Sequence, residues 1–327
     1  MEYYRHKLSQ HKFSLMNFNI EKLPESNPQS KLENLKSLIS KLNPTFVVLT
    51  ETNQHALKDS KLDLFIDGYG NPHLSVNHNN KENGYGVIMY IKKSIGDCED
   101  HPDPNPNCTY FTISKECNLK DFVTADHKIK KVSVESTKKS LYLVGTYRHQ
   151  TIKNINQKSV DMNSDSHKEQ FITHLREVVY SFEKQCNFLI AGDMNIHYCP
   201  GVILGGMSNI NKFYRKELLH YMADYGKVQQ HVKHPTNEKE TNIIDHVISN
   251  FDMKTIVIDR TVMLDEFNQQ KLSDHNIVVG YWNEMGELNG STSSKRLQKR
   301  KFYAKLKKNT NKQGKKSSNN NRKKQTL

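Results

Sequence analysis

Apolar and polar positions recur with two different periods in the N-terminal part of the chain. Phe13 to Ile20 alternates apolar and polar residues, which predicts a β-strand. Lys31 to Leu42 repeats leucine and isoleucine at helical spacing, and Asn43-Pro44 is expected to end that helix. Phe46 to Leu49 is a β-branched and aromatic run that is typical of a buried strand. A strand, a helix and a strand in this order predict an α/β unit.

The rest of the chain continues this pattern. We predict further strands at Gly86 to Ile91, Leu141 to Tyr147, Asn187 to Gly192, Ile243 to Ile248, Thr255 to Asp259 and Ile277 to Trp282. Helices are predicted from Lys168 to Glu183 and around Asn211 to Tyr225. Gly96 to Asn118 is expected to be an irregular surface insertion, and Gln150 to Ser166 a loop, because both are rich in polar residues. The pattern predicts an α/β domain over residues 1–287.

Positive charge is concentrated at the C-terminus. The formal net charge is +13, and Ser291 to Leu327 holds 14 of the 48 Lys and Arg residues and no Asp or Glu. The preceding residues are nearly neutral, with 34 basic and 35 acidic side chains. We interpret residues 288–327 as a disordered basic arm. Such an arm would add salt-sensitive affinity for phosphate backbones and could serve nuclear import, although a purely solubilising tail has the same composition.

The sequence predicts neither a membrane span nor a signal peptide. No stretch approaches the length of a membrane span, and the N-terminus lacks the apolar core of a signal peptide. We therefore expect no transmembrane segment and a nuclear or cytoplasmic protein that is not secreted. The five cysteines lack the paired spacing of a zinc site and are interpreted as ordinary thiols.

Carboxylate, amide and imidazole side chains follow several predicted strands. They are Asn19, Glu51, Asp193, Asn195, Asp274 and His275, with Asp245 inside a further strand. Strand ends are where α/β scaffolds collect active-site groups. A carboxylate beside a buried strand is costly to desolvate unless it is paired, and Mg²⁺ would pair with it. Such a cation neutralises charge on a phosphate during hydrolysis, while a carboxylate or histidine activates the attacking water.

The order of these residues resembles the endonuclease/exonuclease/phosphatase superfamily from about Phe13 to Tyr281. The matching segments are Asn17-Phe18-Asn19, Leu49-Thr50-Glu51, Tyr147-Arg148, Gly192-Asp193-Met194-Asn195, Ile244-Asp245-His246-Val247 and Ser273-Asp274-His275. Within the superfamily the chain looks most like the endonuclease domains of LINE-type retrotransposons, because His234-Pro235-Thr236 precedes Thr241 to Asn250. Apurinic/apyrimidinic endonucleases share this skeleton.

The resemblance implies a fold and a metal site. The fold is a four-layered α/β sandwich, in which two mixed β-sheets pack face to face and helices flank them. Glu51 would be the main metal ligand, with Asn19 beside it and Asp274 helping to complete the shell. The implied cofactor is Mg²⁺, with Mn²⁺ as the alternative.

The resemblance also implies catalytic roles. Asp193 would orient or deprotonate the attacking water, and Asn195 would hydrogen-bond the scissile phosphate. Tyr147 would contact the phosphate or its leaving oxygen. His275 would bind the phosphate or act as a base, with Asp245 fixing its tautomer. A carboxylate behind an imidazole and an amide aimed at phosphate are chemically suited to these roles.

These assignments predict metal-dependent hydrolysis of nucleic acid, most simply by an endonuclease that nicks DNA, with RNA as the other polymer. The active-site cleft and the basic arm would both contact the substrate. A phosphatase or phospholipase acting on inositol phosphates or lipids, an RNase or deadenylase, and a catalytically silent binding module are the alternatives. Two departures accompany the matches. Prolines usually follow Tyr147-Arg148 in the retrotransposon domains, whereas His149-Gln150 stand here, and the insertion from Gly96 to Asn118 is unlike a compact version of the fold.

Overall fold

The computed structural model shows two packed β-sheets with helices on their outer faces. It describes residues 1–23, 28–52, 63–75, 86–102, 125–137, 139–153, 159–183, 186–198, 208–220, 222, 225–237, 242–266 and 272–285. The basic arm predicted at 288–327 and residues 103–118 of the predicted insertion lie outside these ranges.

The described helices lie mainly where periodicity predicts them. They are α1 (Glu2–Ser9), α2 (Pro28–Leu42), α3 (Asp165–Tyr180), α4 (Asn209–Tyr214) and α5 (Arg260–Glu266), with a 3₁₀ turn at Lys93–Ile95 and a π-helix at Arg215–His220. α2 ends at Asn43, whose φ of +51° is the left-handed conformation common after helices. α3 begins where the Ser164 hydroxyl accepts a hydrogen bond from the His167 N–H. In the described chain, no helix has the length and hydropathy needed to cross a bilayer.

Two six-stranded mixed sheets form the centre of the molecule. The strands are β1 (Phe13–Asn19), β2 (Phe46–Thr50), β3 (His73–Leu74), β4 (Val87–Ile91), β5 (Cys98–Asp100), β6 (Ala125–Val134), β7 (Lys139–Arg148), β8 (Thr151–Lys153), β9 (Ser159–Asp161), β10 (Asn187–Asp193), β11 (Gln229–Gln230), β12 (Asp245–Ser249), β13 (Lys254–Ile258) and β14 (Ile277–Trp282). The first sheet has the order β13-β14-β1-β2-β4-β3 and the second β11-β12-β10-β7-β6-β5. Each contains one parallel pair, β1–β2 or β7–β10, flanked by antiparallel neighbours.

The main core lies between the two sheets. Leu15 and Met89 of the first sheet and Leu189 of the second belong to one buried cluster. Gly145 on β7 allows the sheets to approach closely, because a Cβ there would lie 2.7 Å from Val87 Cγ1 and 2.8 Å from Met89 Sδ. Burying a leucine of this kind contributes about 1.5–3 kcal/mol. The inward faces of the strands therefore set both stability and sheet spacing.

Helices cover the outer faces. Leu35, Leu38 and Ile39 of α2 lie in a second buried cluster with strands β2 and β4 of the first sheet. Phe171 and Leu175 of α3 belong to the core cluster on the side of the second sheet. The order of layers is helix, sheet, sheet, helix. The four-layered α/β sandwich implied by the sequence is confirmed.

Some local predictions are wrong. The predicted insertion begins with strand β5, which pairs with β6, and the predicted loop from Gln150 to Ser166 contains the β8–β9 hairpin and the first residues of α3. The helix predicted around Asn211 to Tyr225 changes to π geometry after Tyr214. β6 was not predicted because it has few apolar residues and three lysines. Two of them, Lys128 and Lys130, lie 2.5 and 3.4 Å from Asp100 on β5, so the neighbouring strand compensates their charge.

Candidate active site

Four polar side chains form a row across the second sheet. Strand register pairs Asp126 with Tyr147, Tyr147 with Asp193, and Asp193 with Asp245, on the neighbouring strands β6, β7, β10 and β12. Directly paired residues project from the same face of a sheet. That face is the inner one, because Gly145, two residues before Tyr147, faces the first sheet. All four side chains are buried, so three carboxyl groups and a phenol lie at one level between the sheets.

The first sheet contributes Asn19 and Glu51. Asn19 is the last residue of β1, and Glu51 directly follows the parallel neighbouring strand β2. Asn19 Nδ2 donates to Glu51 Oε1 at 3.1 Å and to Asp193 Oδ2 at 2.9 Å. This amide therefore connects the two sheets at the site. Glu51 has a φ of +53°, a left-handed conformation that is unusual for a residue with a side chain and is often found at functional sites.

His275 lies against Asp245, as the sequence predicts. Its Nδ1 is 2.7 Å from Asp245 Oδ2, and its Nε2 is 3.7 Å from Asp274 Oδ1. Burial alone would lower the pKa of His275, but the contact with Asp245, together with Asp193 and Asp274, outweighs burial and raises it to about 10. The imidazole is therefore protonated at neutral pH, and both ring nitrogens donate. Asn19 Nδ2, 3.3 Å from Nε2, is then a close neighbour rather than a donor to it.

Asp193 is fully enclosed in this cluster. Its Oδ1 accepts a hydrogen bond of 2.8 Å from the Asn195 N–H. Burial raises the pKa of Asp193, and the neighbouring carboxylates of Asp245 and Glu51 raise it further, while His275 and the Asn195 N–H oppose the shift; the result is about 8. A carboxyl group with so high a pKa gains from a positive charge placed beside it.

Asn195 is held in place on several sides. Its backbone φ is +49°, its Nδ2 donates to the Arg148 carbonyl at 2.7 Å, and its Oδ1 accepts from the Gln150 amide. The amide plane is consequently fixed, with the second N–H of Nδ2 available for a phosphate oxygen.

Arg148 is an important residue that sequence reasoning matched but gave no role. Its guanidinium is buried, and each of its five N–H groups donates to oxygen. The acceptors are the carbonyls of Met194, His149, Met162 and Asn195, and Asn163 Oδ1, at 2.7–3.2 Å. Burial lowers the pKa of Arg148 to about 10, against the effect of Asp193, so the group stays charged. The only indication in the sequence was that a positively charged residue follows Tyr147.

Asp245 is fixed from both ends. The Thr236 hydroxyl accepts the Asp245 N–H at 3.1 Å, which explains the Pro-Thr segment seen in the sequence. Asp245 Oδ2 contacts His275, whereas Oδ1 is buried and has no hydrogen-bond partner in the described part of the chain. An unpartnered carboxylate oxygen of this kind is costly unless a cation lies near it.

The donor set fits a divalent cation. Ligand atoms of Asp193, Asp245 and His275 lie within 4.8 Å of one another, and Glu51 adds a fourth charged group through Asn19. The raised pKa of Asp193 and the unpartnered oxygen of Asp245 both favour added positive charge. Asn19 differs from the prediction in one respect. Its oxygen accepts from the Glu21 N–H, so its amide nitrogen faces the carboxylates, and its role as a ligand stays a prediction.

The residues predicted from sequence are thus brought to one end of the sandwich. The sequence profile of the Endonuclease/Exonuclease/phosphatase family matches residues 16–275. The chain belongs to this family. The superfamily predicted from sequence is confirmed, and the family membership makes the protein a phosphoester hydrolase. No curated protein matches the chain by sequence.

Solved structures share the family fold at low sequence identity. An endonuclease/exonuclease/phosphatase from Bacteroides vulgatus has a TM-score of 0.55 at 13% identity, over 82% of this chain and 97% of that one. A mannosyl-6-phosphatase from Bacteroides thetaiotaomicron has 0.52 at 11%, over 82% and 98%. D. rerio TDP2 in complex with a single-strand DNA product has 0.52 at 13%, over 83% and 99%. Likeness at these identities establishes the fold alone.

Proposed function

We propose that this hydrolase is a Mg²⁺-dependent endonuclease that nicks DNA. The observation that carries the proposal is the closeness of two groups with different chemistry, the enclosed Asp193 carboxyl and the His275 imidazole, whose polar atoms lie within 4.8 Å of each other and of Asp245. Phosphodiester hydrolysis needs a base for water and positive charge for the phosphate, and these two groups can supply both at one site.

The chemistry follows from the positions of the side chains. In its ionised form, Asp193 removes a proton from water as the water oxygen attacks phosphorus, and the bond from phosphorus to the leaving oxygen breaks. His275 and the Asn195 amide donate to the non-bridging oxygens, on which negative charge develops. The Tyr147 hydroxyl gives its proton to the leaving oxygen and is reprotonated by solvent.

A bound Mg²⁺ would supply further positive charge and keep neighbouring carboxylates ionised. We place the cation on the side of Glu51, with Asn19 and Asp274 completing the predicted set, so that His275 stays available to the phosphate. This assignment leaves Asp193 available as the base.

DNA is favoured by three observations. The basic arm proposed at residues 288–327 would track a phosphate backbone. The segment from His234 to Asn250 looks like that of LINE-type retrotransposon endonucleases, and TDP2, which shares the fold, is described with a single-strand DNA product. A nuclear location follows as part of the proposal.

The test is cleavage of supercoiled plasmid with Mg²⁺, with and without EDTA. Asp193→Asn and His275→Gln are each expected to reduce nicking by roughly 10²–10⁴-fold, the usual contribution of a positioned acid or base. Asp252→Asn is the matched control, because Asp252 is exposed, follows the end of β12 away from Asp245 and hydrogen-bonds Gln229 on the edge strand β11.

The possible outcomes distinguish an error in the assigned site residues from an error in the assigned substrate. Full activity in Asp193→Asn would overturn the assignment of the base. Absence of nicking, with metal-dependent hydrolysis of RNA, abasic DNA or an inositol phosphate that is lost in the same variants, would keep the site and overturn the proposed substrate.

A further inference from the structure

A second imidazole–carboxylate pair lies at the opposite end of the row from Asp245 and His275. His149 Nε2 is 2.8 Å from Asp126 Oδ2, and both side chains are buried. Asp126 is the first residue of the row and Asp245 the last. Each of the two terminal carboxyl groups therefore contacts a histidine, and the mechanism above uses only one of them.

The second pair contacts Tyr147. The ring centroids of His149 and Tyr147 are 5.2 Å apart, with the planes inclined by 44°. Asp126 is the direct cross-strand partner of Tyr147, and His149 follows Tyr147 by two residues on the same face. Because the contact with Asp126 fixes the imidazole, the imidazole in turn restricts the ring of Tyr147.

His149 is one of the two residues, His149 and Gln150, at which the sequence departs from the retrotransposon endonucleases. His149 contacts Tyr147, and the next residue, Gln150, donates to Asn195 Oδ1. His149 and Gln150 thus each touch a side chain to which a phosphate contact is assigned. A proline at either position offers no polar side chain for such a contact.

The pair also lies on a defined side of the reacting phosphate. Asp193 on β10 and Asp126 on β6 are two strands apart, about 9–10 Å, with Tyr147 between them. In-line attack from the side of Asp193 sends the leaving oxygen toward Tyr147 and the His149–Asp126 pair.

We propose that His149, held by Asp126, is a positioning residue that orients the Tyr147 hydroxyl toward the leaving oxygen. This inference rests on the proposed function, in which Tyr147 protonates that oxygen. His149 acts through Tyr147, so its contribution disappears once the hydroxyl is absent. The two substitutions are consequently expected to be non-additive.

A double-mutant cycle tests this with His149→Gln, Tyr147→Phe and the combined variant in the plasmid assay. His149→Gln retains a side-chain N–H for Asp126 but loses the ring. It is expected to lower kcat roughly 10-fold with little change in KM, as for coupled neighbours. Adding it to Tyr147→Phe is expected to cause no further loss. The control is His231→Gln, because His231 is also buried and its Nε2 bonds the Ser249 hydroxyl. Additive losses in the combined variant would overturn the proposal.

A second measurement does not require cleavage. In protein labelled with ¹³C on the tyrosine rings, the Tyr147 signal is assigned by its absence in Tyr147→Phe. We expect this signal to move in His149→Gln and to stay in place in His231→Gln. An unmoved signal would overturn the positioning contact. If the wild-type protein cleaves no phosphoester, the proposed function fails, while this measurement still decides whether His149 orients Tyr147.

Discussion

Replacing Arg148 with lysine would separate the geometry of this side chain from its charge. Lysine keeps a positive charge but offers three N–H groups from a single nitrogen instead of five in a planar fork. At least two of the five acceptors around Arg148 therefore lose their donor. A hydrogen bond to a charged group contributes about 1.5–3 kcal/mol, so we expect unfolding to require about 3–5 kcal/mol less free energy.

Urea unfolding followed by circular dichroism measures this loss. The control is Arg176→Lys on α3, because Arg176 forms an ion pair with Glu217 and is partly exposed to solvent. We expect about 1 kcal/mol or less for that change. A decrease of less than 1 kcal/mol in the free energy of unfolding of Arg148→Lys would refute the view that the planar guanidinium group holds the loop after β10.

Activity gives an independent readout of the same loop. Arg148 donates to the carbonyls of Met194 and Asn195 and its own carbonyl accepts from the Asn195 amide. We expect Arg148→Lys to lose phosphoester hydrolysis at temperatures where it is still folded. Normal kcat in the folded variant would show that Asn195 is positioned without it.

Three further predictions follow from single features. Burial lowers the pKa of His246 to about 4, below its ordinary value. The neutral imidazole therefore contributes fully to the free energy of unfolding above about pH 6.5, and this contribution falls by roughly 3 kcal/mol as the pH drops toward 4. Melting temperatures of the wild type and His246→Phe across this range measure it, and parallel curves would contradict it. Gly192→Ala places a Cβ 1.7 Å from the Thr146 carbonyl oxygen and should lower the free energy of unfolding by more than about 4 kcal/mol. Gly68→Ala, with open space around it, should lower it by about 1 kcal/mol, and urea unfolding of both variants tests the difference. Removing residues 288–327 should flatten the salt dependence of DNA binding, and an unchanged slope of log K against log salt would exclude the arm as the electrostatic contact.

Strands with strong apolar runs were predictable because their signal is local. The segments that became β1, β2, β10 and β14 bury nearly every side chain, and their sequences show it. β6 and the β8–β9 hairpin carry few apolar residues and depend on partners for their conformation. Pairing of this kind is a long-range property that a local pattern does not reveal.

The site was predictable as a set of residues but not as an arrangement. The order of Asn19, Glu51, Asp193 and His275 along the chain indicated the family, and the structure brings them together. The Asp126 side chain lay in a segment without a recognised strand, so its place in the row could not be foreseen. The five hydrogen bonds of Arg148 depend on carbonyls brought together only by folding.

The single parallel pair in each sheet has a mechanical consequence. Since β1–β2 and β7–β10 deliver their last residues to the same end of the sandwich, the site is divided between two separate sheets. The hydrogen bonds from Asn19 to Asp193 and from His275 to Asp245 link the two halves directly. Small sliding of one sheet over the other would therefore disassemble the site while each sheet kept its own hydrogen bonds. Catalytic activity therefore depends directly on how the two sheets are aligned.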